Sequence, residues 1–220
     1  MAVNCRLVLA VAVLLCLWAL VKAAVILKPS IQGRDKRRVP DKASMGHWKH
    51  DDLKRGFTPS EKYAILEKHN ALRKEVMAAN MNRLVWSDAL AEHAQDIAYQ
   101  CNLEYSEVGV NIAAQSYFYN EIEATKGWYE EKSFYDYAND ACQFGLTCKH
   151  YKQVVRAAAT MVGCGITFCP LMNSIAMEDV YIIVCSYSPV TAKGVPYESG
   201  PPCSHCDEGR SCSDGMCGGY

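Results

Sequence analysis

The chain lacks any Asn-X-Ser/Thr triplet, so N-linked glycosylation is not expected. It lacks a charge surplus as well: 23 Lys and Arg stand against 24 Asp and Glu, which argues against a polyanionic partner such as nucleic acid. Beyond residue 23 it lacks an apolar run long enough to cross a bilayer, so no membrane span is expected. Residues 24–57 lack a sustained helical or strand period and carry the charge run Arg34-Asp35-Lys36-Arg37-Arg38. That run reads either as a processing site or as a solvated basic tail.

What is present begins with a secretory signal over residues 1–23. Arg6 supplies the charged start, Leu7 to Leu20 the apolar run, and Val21-Lys22-Ala23 a small-residue cleavage site. A membrane anchor is the alternative, but the run is short for one. Cys5 and Cys16 leave with the signal. The remaining cysteines are Cys101, Cys142, Cys148, Cys164, Cys169, Cys185, Cys203, Cys206, Cys212 and Cys217, an even set that in a secreted chain reads as a disulfide framework. The last four follow a C-x2-C-x5-C-x4-C spacing in a polar, Gly/Ser/Asp-rich background that cannot bury a core. Zinc is an alternative there, with His205 inside the cluster, but an oxidising compartment favours disulfides.

Between these ends the sequence predicts mixed helices and strands, an α+β class. Thr58-Pro59-Ser60-Glu61 has the chemistry of a helix start, with an N-cap, a first-position proline and a capping-box glutamate. Ile65, Leu66, His69, Leu72 and Val76 then share one helical face, and His69 reads as a packed, hydrogen-bonded helix histidine. A second helix is expected after Ser87, a short strand over Gly109–Ile112 and a third helix over 121–133. Ser133 to Gly145 reads as a tyrosine-rich loop, and a fourth helix is expected from His150 to Met161. Two strands, Gly165–Cys169 and Tyr181–Tyr187, follow; the second is apolar on both faces, as a central strand should be.

Several of these stretches resemble the CAP superfamily (cysteine-rich secretory proteins, antigen 5 and pathogenesis-related-1 proteins). Cys148-Lys149-His150-Tyr151-Lys152-Gln153-Val154-Val155 is similar to its "HYTQVVW" signature, and Lys68-His69-Asn70-Ala71-Leu72-Arg73 to its "HNxxR". Leu84-Val85-Trp86, Gly109-Val110-Asn111, Trp128-Tyr129-Glu130-Glu131, Val162-Gly163-Cys164-Gly165 and Cys185-Ser186-Tyr187-Ser188-Pro189 match in the family's order. The resemblance implies an α-β-α sandwich with a small antiparallel sheet over 58–195, with Trp86 in the core, and a cysteine-rich hinge-like tail over 196–220. It also implies the pairings Cys101–Cys169, Cys142–Cys148, Cys164–Cys185, Cys203–Cys212 and Cys206–Cys217. The ion-channel-regulating domain of some relatives does not follow the tail, so channel block is not expected.

The family's central cavity carries two His and two Glu that can bind a divalent cation. By resemblance His150 and Glu131 occupy two of those positions. Tyr105 stands where relatives have the second His, Val110 where they have the second Glu, and Arg156 where the signature has Trp. One imidazole and one carboxylate are too few for a firm site, so no metal and no cofactor are expected. Ser106 matches a serine enlisted in hydrolytic proposals for the family, but without the histidine before it catalysis is not expected either. Other members bind sterols through a mobile loop or fatty acids between two helices. Here the loop is 133–144, and Phe134, Tyr135 and Tyr137 are its candidate lipid contacts, since aromatic rings offer flat apolar area with polar edges. The expectation is a secreted, extracellular, non-enzymatic protein that binds sterol or fatty acid. An extracellular protein partner is the alternative, and a metal-dependent hydrolase built on His150 and Glu131 a weaker one.

Overall fold

The computed structural model describes residues 56–104, 107–116, 120–172, 177–190 and 194–218. The expected signal segment, residues 24–55 of the extension, Tyr105 and Ser106 lie outside these residues. Among the described residues no helix is long and apolar enough to cross a membrane.

Helix α1 (Pro59–Glu75) starts where the local chemistry requires. The Thr58 hydroxyl accepts from the Glu61 N–H, the Glu61 carboxylate accepts from the Thr58 N–H, and Pro59 fills the first turn. Ser87 caps α2 (Asp88–Ala98) in the same way, accepting from Leu90 N–H. Helix α3 (Glu123–Glu130) passes into one 3₁₀ turn, Glu131–Phe134. Helix α4 covers only Lys149–Val154, so the expected run to Met161 is too long.

The reason for the early stop is Arg73. Its guanidinium is completely buried in α1 and donates to the carbonyls of Asn82, Val154, Arg156 and Ala159 at 2.6 to 3.1 Å. After Val154 the chain exchanges helical hydrogen bonds for bonds to this cation. Burial pushes the Arg73 pKa down to about 9, which leaves it charged at neutral pH.

Four strands form the main sheet in the order β1-β5-β6-β2: β1 (Val85–Trp86), β5 (Met161–Met172), β6 (Met177–Ser188) and β2 (Val110–Ser116). β1 runs parallel to β5, and the other neighbours are antiparallel. Both long strands extend beyond their expected ends, because alternate residues serve two different cores. Val162, Cys164, Ile166, Ile183, Cys185 and Tyr187 meet α1, α3 and α4 on one face. Val180, Ile182 and Val184 meet Ala94, Ile97 and Ala98 of α2 on the other. This is an α-β-α sandwich, and each fully buried aliphatic side chain in it contributes about 1.5–3 kcal/mol. Trp86 lies only partly buried at the edge of the larger core, while its neighbour Leu84 is buried. β1 is a two-residue edge strand, and the buried contact at this edge comes from Leu84 just before it.

Helix α2 sits directly on the backbone of β5. A Cβ on Gly163 would lie 2.2 Å from the Ala91 nitrogen, and one on Gly165 2.5 Å from the Gln95 Cα. Only glycine allows that approach.

The tail adds a small hairpin, β7 (Cys212–Ser213) and β8 (Met216–Cys217), turned by Asp214 and Gly215 at positive φ. It docks on the sandwich through Arg83 N–H to Cys217 O, Cys217 N–H to Met81 O and a Lys74–Asp214 ion pair. Among the described residues the disulfides are Cys101–Cys169, Cys142–Cys148, Cys164–Cys185, Cys203–Cys212 and Cys206–Cys217. The sulfurs of Cys203, Cys206 and Cys217 lie within 4.8 Å of one another, but each belongs to a disulfide and none is a free thiolate for zinc.

Candidate functional site

His150 in the first turn of α4 and Glu131 at the end of α3 come together. His150 Nδ1 donates to Glu131 Oε1 at 2.6 Å, and Oε2 accepts the N–H groups of His150 and Tyr151 at 3.0 and 3.1 Å. The carboxylate therefore caps the start of α4 and orients the imidazole, which lies beside Trp128 with ring centroids 6.5 Å apart. Glu131 already accepts three hydrogen bonds, so a cation drawn to its carboxylate would compete with the cap of α4, while His150 Nε2 points away from this pairing.

Val110 is not beside them. It pairs with Ser186, and the pleat sends both side chains toward α2, where Val110 packs against the Ala94–Ile97–Val184 cluster. The next residue, Asn111, points the other way and donates to His150 O at 3.0 Å. Of the family positions, three lie among the described residues, and they supply one histidine, one committed carboxylate and, at Val110, no ligand. They do not fit a divalent cation, which needs several converging ligands.

Behind this pair lies a buried polar chain that extends the packed-histidine reading of His69. Its Nδ1 faces Ile65 O at 2.9 Å, and since a carbonyl only accepts, Nδ1 carries the proton. Nε2 then accepts from the Tyr187 hydroxyl at 2.8 Å. Burial is the main cause that pushes the His69 pKa down to about 4, with Arg73 acting in the same direction against the Ile65 hydrogen bond. The imidazole is neutral at physiological pH. Burial also pushes the Tyr187 hydroxyl well above the usual tyrosine range.

Sequence reasoning missed a second constellation. Ser186 Oγ lies 3.0 Å from His93 Nδ1, and His93 Nε2 lies 3.6 Å from Glu107 Oε2. The residue types match a hydrolytic triad, but Ser186 is buried in β6 against α2, where no substrate carbonyl can approach it. No sequence signal marks this set, since the strand register and the seating of α2 bring it together.

The tyrosine-rich loop is folded onto the domain. The strands β3 (Tyr135–Asp136) and β4 (Ala141–Cys142) close it, and Cys142–Cys148 ties its far end to α4. Tyr135 packs against Tyr151 and Tyr137, and its hydroxyl donates to Asp140 at 2.7 Å. Tyr137 stacks on Tyr197 at 5.0 Å between centroids and donates to Tyr197 O at 2.8 Å. These two rings are committed to packing. Phe134 is exposed, and beyond the expected contacts Phe144 is wholly exposed with Leu146 close by in sequence. Phe144 and Leu146 lie in a tight turn, Leu146 N–H to Gln143 O, with Gly145 at φ +77°. The aromatic count pointed to this loop but could not say which rings turn inward.

The cysteine-rich secretory protein (CAP) family model matches residues 66–187. Peptidase inhibitor 15-A of Danio rerio is 35% identical over 191 residues, covering 74% of this chain and 72% of that protein. Peptidase inhibitor 16 of Mus musculus is 32% identical over 170 residues, covering 73% of this chain and 34% of the relative, so the chain spans about a third of that protein's length. The cysteine-rich venom protein helothermine of Heloderma horridum horridum is 31% identical over 175 residues, covering 72% and 70% of the two chains. Among solved structures, venom allergen-like protein 4 of Schistosoma mansoni superposes with a TM-score of 0.56 at 27% identity, covering 66% of this chain and 97% of that one. Na-ASP-1 shares the fold with a TM-score of 0.63 at 22% identity, over 84% of this chain and 52% of its own. Motif order, sandwich and matched span agree: the chain belongs to the cysteine-rich secretory protein (CAP) family.

Proposed function

We propose that the protein is a secreted, metal-free and non-enzymatic CAP protein that binds a sterol or fatty acid through the apolar tip of its aromatic loop. The observation that carries this reading is the full exposure of Phe144, beside Leu146, on a loop tied down by Cys142–Cys148. A bridge spanning six residues limits how far the tip can fold back, so its apolar side chains stay in water. Covering them with a lipid relieves that exposure. Tyr135 and Tyr137 support the loop from beneath, and Phe134 adds exposed apolar area to the contact.

Non-enzymatic action is supported by how the reactive groups among the described residues are used. Cys148 is bonded to Cys142, Ser186 is buried, and Glu131 is occupied by His150 and backbone N–H groups. Secretion is supported by the disulfides among the described residues, which persist in oxidising compartments.

Native mass spectrometry of the secreted protein with cholesterol and palmitate tests the proposal. A one-to-one adduct with either lipid is expected. Phe144→Ala with Leu146→Ala should weaken it roughly 10-fold or more, since each buried apolar side chain is worth about 1.5–3 kcal/mol. Undiminished adducts in the double variant would reject the tip as the contact.

A second reading is favoured by relatives named peptidase inhibitors: the same exposed tip would insert into a protein pocket. It predicts that the double variant loses inhibition of a serine peptidase such as chymotrypsin, with no lipid adduct in either protein.

A further inference from the structure

The aromatic loop carries a pattern of charge as well as of apolar area. Phe144 is wholly exposed and Leu146 is 45% exposed, both on the turn 143–147 that Cys142–Cys148 closes. Gln143 N–H donates to Phe134 O at 2.8 Å, which sets the exposed Phe134 at the base of the same turn. Leu146 N–H donates to Gln143 O and Lys149 N–H to Thr147 Oγ1, so part of the turn's backbone is satisfied from within. That lowers the cost of moving the turn out of bulk water.

Lys149, also exposed, follows the bridge directly and is the single charged side chain between residues 141 and 149. Lys132, exposed as well, comes just before Phe134, with its ammonium 4.4 Å from the Tyr129 ring. The neighbouring acids are engaged elsewhere. Glu131 accepts from His150, and Glu130 lies 4.0 Å from Lys126. Asp136 and Asp140 sit at the opposite end of the β3–β4 hairpin, the first accepting from Ala138 and Asn139, the second paired with Lys152.

We infer that this tip docks the protein on an anionic lipid bilayer, with Phe144 and Leu146 entering the acyl boundary and Lys132 and Lys149 meeting lipid phosphates. The inference rests on the lipid reading above and names the form in which the lipid is met. A wholly exposed ring is convex: by itself it covers only part of one lipid molecule, whereas a lipid surface surrounds it. An apolar projection flanked by lysines gains twice at such a surface, through burial of the side chains and through attraction of the cations. A protein pocket would match the apolar tip but leaves the two lysines without a role. The attachment is to one face of the bilayer, since among the described residues no helix is long and apolar enough to cross it.

The test mixes the whole mature protein, disulfides intact, with sedimentable vesicles of phosphatidylcholine, with or without phosphatidylserine, free of sterol and fatty acid. Binding to the mixed vesicles is expected, and it should fall as salt rises. Phe144→Ser with Leu146→Ser should lower the partition about 10-fold or more, the factor that withdrawing one such side chain from water is worth. Both positions are exposed, so this variant should keep the wild-type unfolding midpoint. Lys132→Ala with Lys149→Ala should lower the partition about 5-fold or more. Phe144→Trp should still bind, and its emission should shift to the blue on the mixed vesicles. Undiminished partition of the Phe144→Ser, Leu146→Ser variant, equal binding to both kinds of vesicle, or no blue shift overturns the inference. Native mass spectrometry with monomeric cholesterol and palmitate separates it from the reading on which it rests. Adducts without vesicle binding sink the docking and leave a site for single lipids, while vesicle binding without adducts does the reverse.

Discussion

The neutral, buried His69 makes a quantitative prediction about acid stability. In the folded protein its pKa is pushed down to about 4, against 6.5 for the free side chain. A base whose folded value is depressed binds its proton more readily when unfolded, so falling pH favours unfolding. The stability is intact above about pH 6.5 and is lost as pH falls from there to about 4, with no further loss below. The shift corresponds to about 2 kcal/mol lost at pH ~5 and about 3 kcal/mol at pH ~4. Carboxylates held below their usual range, such as Asp140 beside Lys152 and Asp214 beside Lys74, also lose their contribution as pH falls through their own low values. The informative quantity is therefore a difference. Urea denaturation, disulfides intact, should be measured at pH ~7, ~5 and ~4 for the wild type and for His69→Gln, which keeps a donor and an acceptor but no titrating ring. The variant is expected to start less stable and to fall less steeply, by about 3 kcal/mol over the range. Parallel curves would refute the argument: either His69 is protonated inside the fold, or its site opens to water before the rest of the protein does.

Arg73→Lys should cost about 2–4 kcal/mol, because an ammonium cannot reach the four carbonyls that the planar guanidinium spans. The midpoint of denaturation should shift without a change in its slope. Gly163→Ala should destabilise by about 3 kcal/mol or more, since the new methyl meets helix backbone at 2.2 Å rather than a side chain that can move. Thermal unfolding within a few degrees of wild type would contradict that contact.

What could be read from the sequence was what depends on near neighbours. The capping box of Thr58 and Glu61 spans three residues, and both ends of that interaction are visible in the chain. The position of β6 and its apolar character on both faces were visible too, although the strand runs further at each end than its apolar centre suggested. The end of α4 was not, because its cause is Arg73, more than eighty residues upstream. Tyr137 could not be separated from Phe144 by composition, since its partner Tyr197 is set by the path of the tail across the domain. Val110 was legible as a substitution, but the pleat direction that turns it away from His150 depends on the β2–β6 register.

That register has a further consequence. In most half-buried strands a slip by one residue is punished at once, because apolar side chains would swing into water. β6 has no such safeguard in its middle: Ile182, Ile183 and Val184 find a hydrophobic layer whichever way they point. The alignment of β5 on β6 must be policed by particular residues, not by pattern. Cys164 stands opposite Cys185, and a one-residue slip would put the two sulfurs on opposite sides of the sheet. The glycines at 163 and 165 add a second check, since the same slip in β5 would thrust Cys164 or Val162 into the helix that now rests on bare backbone. The molecule keeps its pairing by a covalent pin and a steric slot, and so its central strands can be almost uniformly greasy without becoming ambiguous.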